Sequence, residues 1–238
     1  MMLRQIALFL PLLAIAAPAL AGSKAVYEGM GTTPVVIEVG DNGDARIGAE
    51  GKDEFGLLIG SDFYLIGKEG GQWKVARIAD QAAAFDKVLP PIFRTIFSAA
   101  GKPGTSKLKM VKKGTRAVAG ITGDVYAVSG LDPEKPAEVI EMVISKDPRV
   151  APAGRALTGF TDAMMVMMAP LIGEMAASEI AQNHELMALG TPLDTKNGLH
   201  LKAFSEASVD PARLTLPAKP QTVEQIVASI KITPTDGK

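Results

Sequence analysis

Val35-Val36-Ile37-Glu38-Val39-Gly40-Asp41-Asn42-Gly43-Asp44-Ala45-Arg46-Ile47 is the stretch on which the fold turns. Val35, Ile37 and Val39 alternate with Val36 and Glu38, the period-two pattern of a strand. Asn42-Gly43 follows. An Asn-Gly pair between strand-like runs signals a hairpin, because both residues tolerate positive φ. The return strand starts at Ala45. The same grammar continues outward: residues 55–59 and 63–66 flank a turn at Gly60-Ser61-Asp62, and Lys68-Glu69-Gly70-Gly71 turns the chain into 72–78. In that last run Trp73 and Val75 face one way, Lys74 and Ala76 the other. Short strands joined by tight turns predict an antiparallel meander.

Beyond it the period changes. Ala82, Phe85, Leu89, Ile92, Phe93 and Ile96 recur at three- and four-residue spacing, one helical stripe. Pro90-Pro91 predicts a break, with a second helix starting at the prolines and ending at Gly101 and Pro103. Strands resume at Lys107, with turns expected at Lys113-Gly114 and Thr122-Gly123 and a further strand over 138–145, where Ile140, Met142 and Ile144 share a face. Residues 153–189 read as helix, with a stripe of Leu157, Phe160, Met164, Met168, Leu171 and Met175. Pro170 and Gly173 should kink or split it, and Gly190-Thr191-Pro192 stops it. A late strand covers 199–204. Thr222 with Gln225 three residues on is a capping-box signature, opening a short helix with Val223, Ile226, Val227 and Ile230 on one face.

The chain opens with one positive charge at Arg4, continues uncharged from Ile6 to Leu20, and reaches the small-x-small site Ala19-Leu20-Ala21. These are the three parts of a secretory signal peptide, and the apolar run is shorter than the roughly 20 residues of a membrane span. Residues 1–21 are therefore expected to be cleaved, leaving no permanent membrane span. The chain has no Cys, so neither a disulfide nor a lipidated cysteine is available, and export without Cys leans towards a bacterial periplasm. With 25 basic and 26 acidic residues, the basic surface of a nucleic-acid binder is missing. Lys107, Lys109, Lys112, Lys113 and Arg116 form the densest basic run, but Leu108, Met110 and Val111 interleave it as on a solvated strand. Residues 22–232 are expected to form a single α+β domain, a curved antiparallel sheet with helices on its concave side. A half-sheet of four or five strands would leave one face uncovered. The tail, 233–238, is expected to be disordered.

Four segments carry a resemblance: 42–47 (Asn42-Gly43-Asp44-Ala45-Arg46-Ile47), 118–126, the turn Ser145-Lys146-Asp147-Pro148, and Val209-Asp210-Pro211 with Leu214-Thr215-Leu216-Pro217. Over residues 25–217 this pattern resembles an uncharacterised family of bacterial periplasmic proteins of unknown function. That family is similar in architecture to the lipoprotein carriers LolA and LolB. The resemblance implies an open half-barrel whose helices lid an apolar cavity for acyl chains.

Met164, Met165, Met167, Met168, Met175 and Met187 stand close together in a chain with 11 Met. Three readings stay open. The cluster is ordinary core; or a flexible apolar wall, since unbranched thioethers repack around varied shapes; or a soft Cu(I) site. His184 and His200 are the only histidines, and no Gly-x-Ser-x-Gly elbow accompanies them. His184 lies among Gln182, Asn183 and Glu185, and His200 alternates with Leu199 and Leu201, so both are expected to be solvated. Asp41, Asn42 and Asp44 lack the further ligands of a calcium loop. The carboxylate pairs Asp132 with Glu134 and Glu138 with Glu141 sit in charged, turn-rich sequence. No glycine-rich stretch runs from a strand into a helix to cradle phosphate. The expectation is a non-enzymatic periplasmic carrier without cofactor or metal, holding an apolar, lipid-like ligand. Phe160, Met164, Met168, Leu171 and Met175 would line the site, with Trp73, Val75 and Phe93 as outer contributors. The alternatives are an envelope module that binds another envelope protein and has no cavity, and a hydrolase whose site the sequence does not display.

Overall fold

The computed structural model describes residues 22–29, 31–93, 107–132, 134–196 and 198–230. The segment 1–21 expected to be a signal peptide, the tail 233–238 and the expected continuation of the second helix past Phe93 lie outside them. Helical turns do resume at Pro91, after the break at the proline pair.

Eleven strands form one antiparallel sheet in the order β6-β5-β4-β3-β2-β1-β11-β10-β9-β8-β7. The first meander comprises β1 (Ser23–Glu28), β2 (Val35–Val39), β3 (Ala45–Ala49), β4 (Phe55–Ile59), β5 (Asp62–Glu69) and β6 (Gln72–Arg77). The second comprises β7 (Lys109–Val118), β8 (Ile121–Ser129), β9 (Val139–Ser145), β10 (Thr191–Thr195) and β11 (His200–Glu206). The meanders join where β1 pairs with β11. β6 and β7 form the two edges, so the sheet stays open. Four α-helices accompany it among the described residues: α1 (Ile78–Val88), α2 (Ala151–Ile172), α3 (Glu174–Met187) and α4 (Val223–Ser229), with a 3-10 turn at Pro211–Leu214. The fold is α+β, as expected, with helices on the concave side of an open antiparallel sheet. Among the described residues no helix is long and apolar enough to cross a membrane.

The hairpin at Asn42-Gly43 is present, with one refinement. Gly43 alone takes positive φ, at 88°. Asn42 works through its side chain, whose Oδ1 accepts from the Asp44 N–H at 3.0 Å. Asp44 Oδ1 accepts in turn from Gly60 N–H at 2.9 Å, tying this turn to the β4–β5 turn. The second meander differs from expectation. β7 runs straight through Lys113-Gly114, where the register shifts by a bulge, and reverses at Ala119-Gly120. Ala119 has φ 49° and Gly120 φ 78°, the double positive φ of a tight hairpin normally given to Asn-Gly. Thr122-Gly123 is strand interior. Gly123 is there because a Cβ would sit 2.7 Å from Val143 Cγ1 and 3.1 Å from Ile144 O. A glycine required by close approach thus imitates a turn signal. Two strands, β1 and β10, go beyond the sequence reading. Pro192 sits in β10 beside its bulge, a place in a strand that tolerates proline.

Helix α2 lies across the sheet, touching β1 to β5 and β10. Its buried face is Ala153, Gly154, Ala156, Leu157 and Ala163. These are small residues that let the helix sit close; a Cβ on Gly154 would meet Thr191 Oγ1 at 2.3 Å. Gly173, with φ 56° and ψ −128°, splits the predicted long helix into α2 and α3, which pack on one another. Pro170 stays within the last turn of α2. Leu186 of α3 packs with Val128, Met142 and Ile144 in a second cluster, while Val143 joins the main core with Leu193 and Leu201. Both faces of β9 are therefore covered. The capping box of α4 forms as predicted: Thr222 Oγ1 accepts from Gln225 N–H at 3.3 Å and Gln225 Oε1 from Thr222 N–H at 2.9 Å.

Candidate functional site

Two hollows meet on the helix-bearing side of the first meander. One, of about 600 Å³, lies against β2 to β6 and is lined by Ile47, Leu65, Ala76 and Phe160, with Glu54, Lys68, Glu69 and Lys74 on its rim. The other, of about 420 Å³, lies between α1, the end of α2 and α4, and is lined by Phe85, Met167, Met168, Leu171, Ile226 and Ile230. Ala76, Gln81 and Gln221 line both, so the two form one bent groove. Both volumes fall within the ~300–1,000 Å³ of small-molecule sites.

The groove is polar at its rim and apolar at its inner end. Lys68 Nζ is 2.9 Å from Asp53 Oδ2, and Lys74 Nζ is 4.0 Å from Glu69 Oε2. Among the described residues the inner hollow has no charged residue in its lining. At the bend sits Gln81, in the first turns of α1. Its Oε1 is buried and has no hydrogen-bond partner among the described residues. An unpaired buried acceptor costs about 1–3 kcal/mol.

Among the residues singled out from sequence, Phe160 lines the first hollow and tilts against Phe63 at 5.8 Å between ring centroids. Met168 and Leu171 line the second. Met164 packs instead against the main core, together with Met167 and Met187. Met165 faces α3, beside Glu179, Gln182 and Leu186. Met175 is half-buried beyond the break at Gly173. The six methionines thus serve several surfaces, not one. Phe93 is 44% exposed. Trp73 and Val75 lie on the opposite face of the sheet from the groove. Val75 packs with Leu57 and Ile66, and Trp73 beside them, under Leu216 and Ala218; Trp73 stacks edge-on against Phe55 at 5.9 Å. Their alternation was read correctly, but the face they share is covered by the C-terminal strap, and Ala76 faces the groove. Gln81, Phe85, Met167, Ile226 and Ile230 line the groove without being singled out by the sequence as site residues. Phe85, Ile226 and Ile230 stand on helical stripes visible in the sequence; Gln81 has no such signal.

The strap that follows β11 crosses the outer face and rounds the β6 edge. Arg213 donates from Nε and Nη2 to Glu38 Oε2, at 3.0 and 2.8 Å, and Glu38 is 8% exposed. Gln221 N–H donates to Val75 O at 2.9 Å, occupying the edge, and α4 then packs on α1.

Both histidines are exposed and each meets an aspartate that local sequence does not reveal. His184 Nε2 is 2.7 Å from Asp162 Oδ2, and His200 Nδ1 is 3.1 Å from Asp194 Oδ1. Asp194 also receives Arg116 Nη2 at 2.6 Å. Among the described residues neither ring is hydrogen-bonded to a serine or threonine hydroxyl, the arrangement that activates a nucleophile.

No protein-family model matches the chain, and no curated protein matches it. Among solved structures it is similar to the crystal structure of MucB, with a TM-score of 0.30 and 16% sequence identity over 86% of this chain. The match spans 60% of the MucB chain.

Proposed function

We propose that the chain is an exported, non-enzymatic binding or carrier protein for an apolar, lipid-like ligand held in the bent groove. The observation that carries this reading is the inner hollow, about 420 Å³ bounded by Phe85, Met167, Met168, Leu171, Ile226 and Ile230. Thioether side chains there adapt to ligands of different shape. The signal-peptide pattern supports export, and an open antiparallel sheet with helices over one side is what the resemblance to a family similar in architecture to LolA and LolB implies. The test is native mass spectrometry of the mature protein from the periplasm, with organic extraction of anything bound, beside a Met168→Glu, Leu171→Glu variant. Both side chains stand outside the fully buried core, so the variant should fold. A lipid in the wild type that is lost from the variant is expected. A wild-type mass that stays ligand-free after incubation with lipids, or a folded variant that keeps its lipid, would overturn the reading.

The alternative, an envelope interaction module, is favoured by one feature. The edge strand β7 is exposed along nearly its whole length, with Val111 40% exposed and Val139, on nearby β9, 58%. A ligand-free wild type would move the assignment there.

A further inference from the structure

We propose that Gln81 selects the polar end of the ligand. The groove takes an amphiphile whose uncharged head donates a hydrogen bond, and Gln81 Oε1 accepts it. This rests on the groove being a ligand site.

Gln81 stands where the two hollows meet, facing both. Its Oε1 is withdrawn from solvent and has no partner among the described residues, and buried polar atoms without partners are rare in folded proteins. A side-chain carbonyl accepts and does not donate. What satisfies it must bring an O–H or N–H. A carboxylate or a fully ionised phosphate brings only acceptors.

The charges around the groove point the same way. Among the described residues the rim gives an anionic head little to bind: Lys68 turns to Asp53 and to the Trp73 ring on the opposite face, and Lys74 lies 4.0 Å from Glu69, with Glu54 on the same rim. Moving inward, the lining carries no charge among the described residues. An anion there would lose its hydration without gaining a partner. A neutral head with hydroxyl groups avoids both costs. Its tail continues past Gln81 towards Met168 and Ile230, and its head group remains near the bend.

The experiment measures displacement of a fluorescent apolar probe from the mature full-length chain at neutral pH. The competitors are a monoacylglycerol and the fatty acid of the same chain length, used on wild type and on Gln81→Met. Methionine keeps the length and removes the acceptor. The wild type should bind the monoacylglycerol roughly tenfold more tightly, the worth of one well-made hydrogen bond. Gln81→Met should bind the two lipids within about twofold of one another and melt no lower than wild type without ligand. Equal affinities in the wild type, a preference for the fatty acid, or a preference undiminished in Gln81→Met would each overturn the assignment of Gln81. In all three cases probe binding would leave the groove itself standing. Failure of the probe to bind the wild type removes the groove reading and this inference with it.

Discussion

Replacing Arg213 by Ala should loosen the strap that carries α4 to the groove. Two N–H groups of Arg213 converge on one oxygen of Glu38, at 3.0 and 2.8 Å, and Glu38 is 8% exposed. Hydrogen bonds to a charged group contribute ~1.5–3 kcal/mol. Two features reduce that figure. The Arg213 side chain is 48% exposed, so solvent screens the pair, and Arg46 Nη1 remains 3.7 Å from the same oxygen. Burial and the like charge of Arg213 both hold the Arg46 guanidinium below its ordinary range, so removing Arg213 strengthens the Arg46 contact. The expected net loss is about 1–2 kcal/mol, a fall of about 2–8 °C in Tm for a chain of this size. Thermal unfolding followed by circular dichroism reads it. Glu38→Gln and the double variant complete a cycle, whose coupling energy should exceed about 0.5 kcal/mol. The loss should not spread evenly. Hydrogen exchange should speed up first at the amides of α4, because the strap leads from the sheet into it. An Arg213→Ala variant that melts within 1 °C of wild type (about 0.3 kcal/mol), or a coupling energy near zero, would refute the claim that this pair anchors the strap.

Two further predictions concern the second meander. Ala119→Asn places Asn-Gly where both residues take positive φ; it should stabilise by about 0.5–1 kcal/mol and raise Tm by about 1–4 °C, and an unchanged or lower Tm counts against the assigned turn. Gly123→Ala pushes a methyl to 2.7 Å from Val143 Cγ1. It should destabilise by about 1–3 kcal/mol in urea, and a neutral effect would mean that β8 and β9 are not this closely paired.

How far the sequence could be read depended on whether a residue's role was local. Asn42-Gly43 announced its hairpin, and Thr222 with Gln225 announced a capping box, because in both cases the partners lie within a few residues. Ala119-Gly120 was passed over because Ala at positive φ is uncommon, and the strand pairing around it compensates for a conformation Ala would not choose. Gly114 and Gly123 misled for the opposite reason: one sits at a bulge and the other under a neighbouring strand, contacts set by register. Pro192 hid β10, since proline in a run usually argues against a strand. At the site, Phe160, Met168 and Leu171 were legible as a helical stripe. Alternation puts Trp73 and Val75 on one face without saying what covers it, and they do not line the groove. Their cover, Leu216 and Ala218, lies some 140 residues away in the chain.

The methionine-rich segment illustrates how one composition can serve different ends. Helix α2 meets the sheet through alanine, glycine and Leu157, and such a face fixes the helix tightly because small side chains permit close approach. The methionines occupy its flanks. On one flank Met165 fills the seam with α3, which Gly173 allows to fold back. Towards the sheet Met164 and Met167 extend the main core. Only near the end of the helix do Met167, Met168 and Leu171 line the hollow, and there the opposite wall is α4, brought round the β6 edge by the strap. The groove is therefore a product of tertiary assembly. Its floor is set by the sheet, but its inner wall depends on a short helix held by one capping box, its packing on α1 and a strap anchored at Glu38. A wall built in this way has fewer contacts to break than the core beneath it, and so it is the part of the molecule best placed to yield when a ligand enters or leaves.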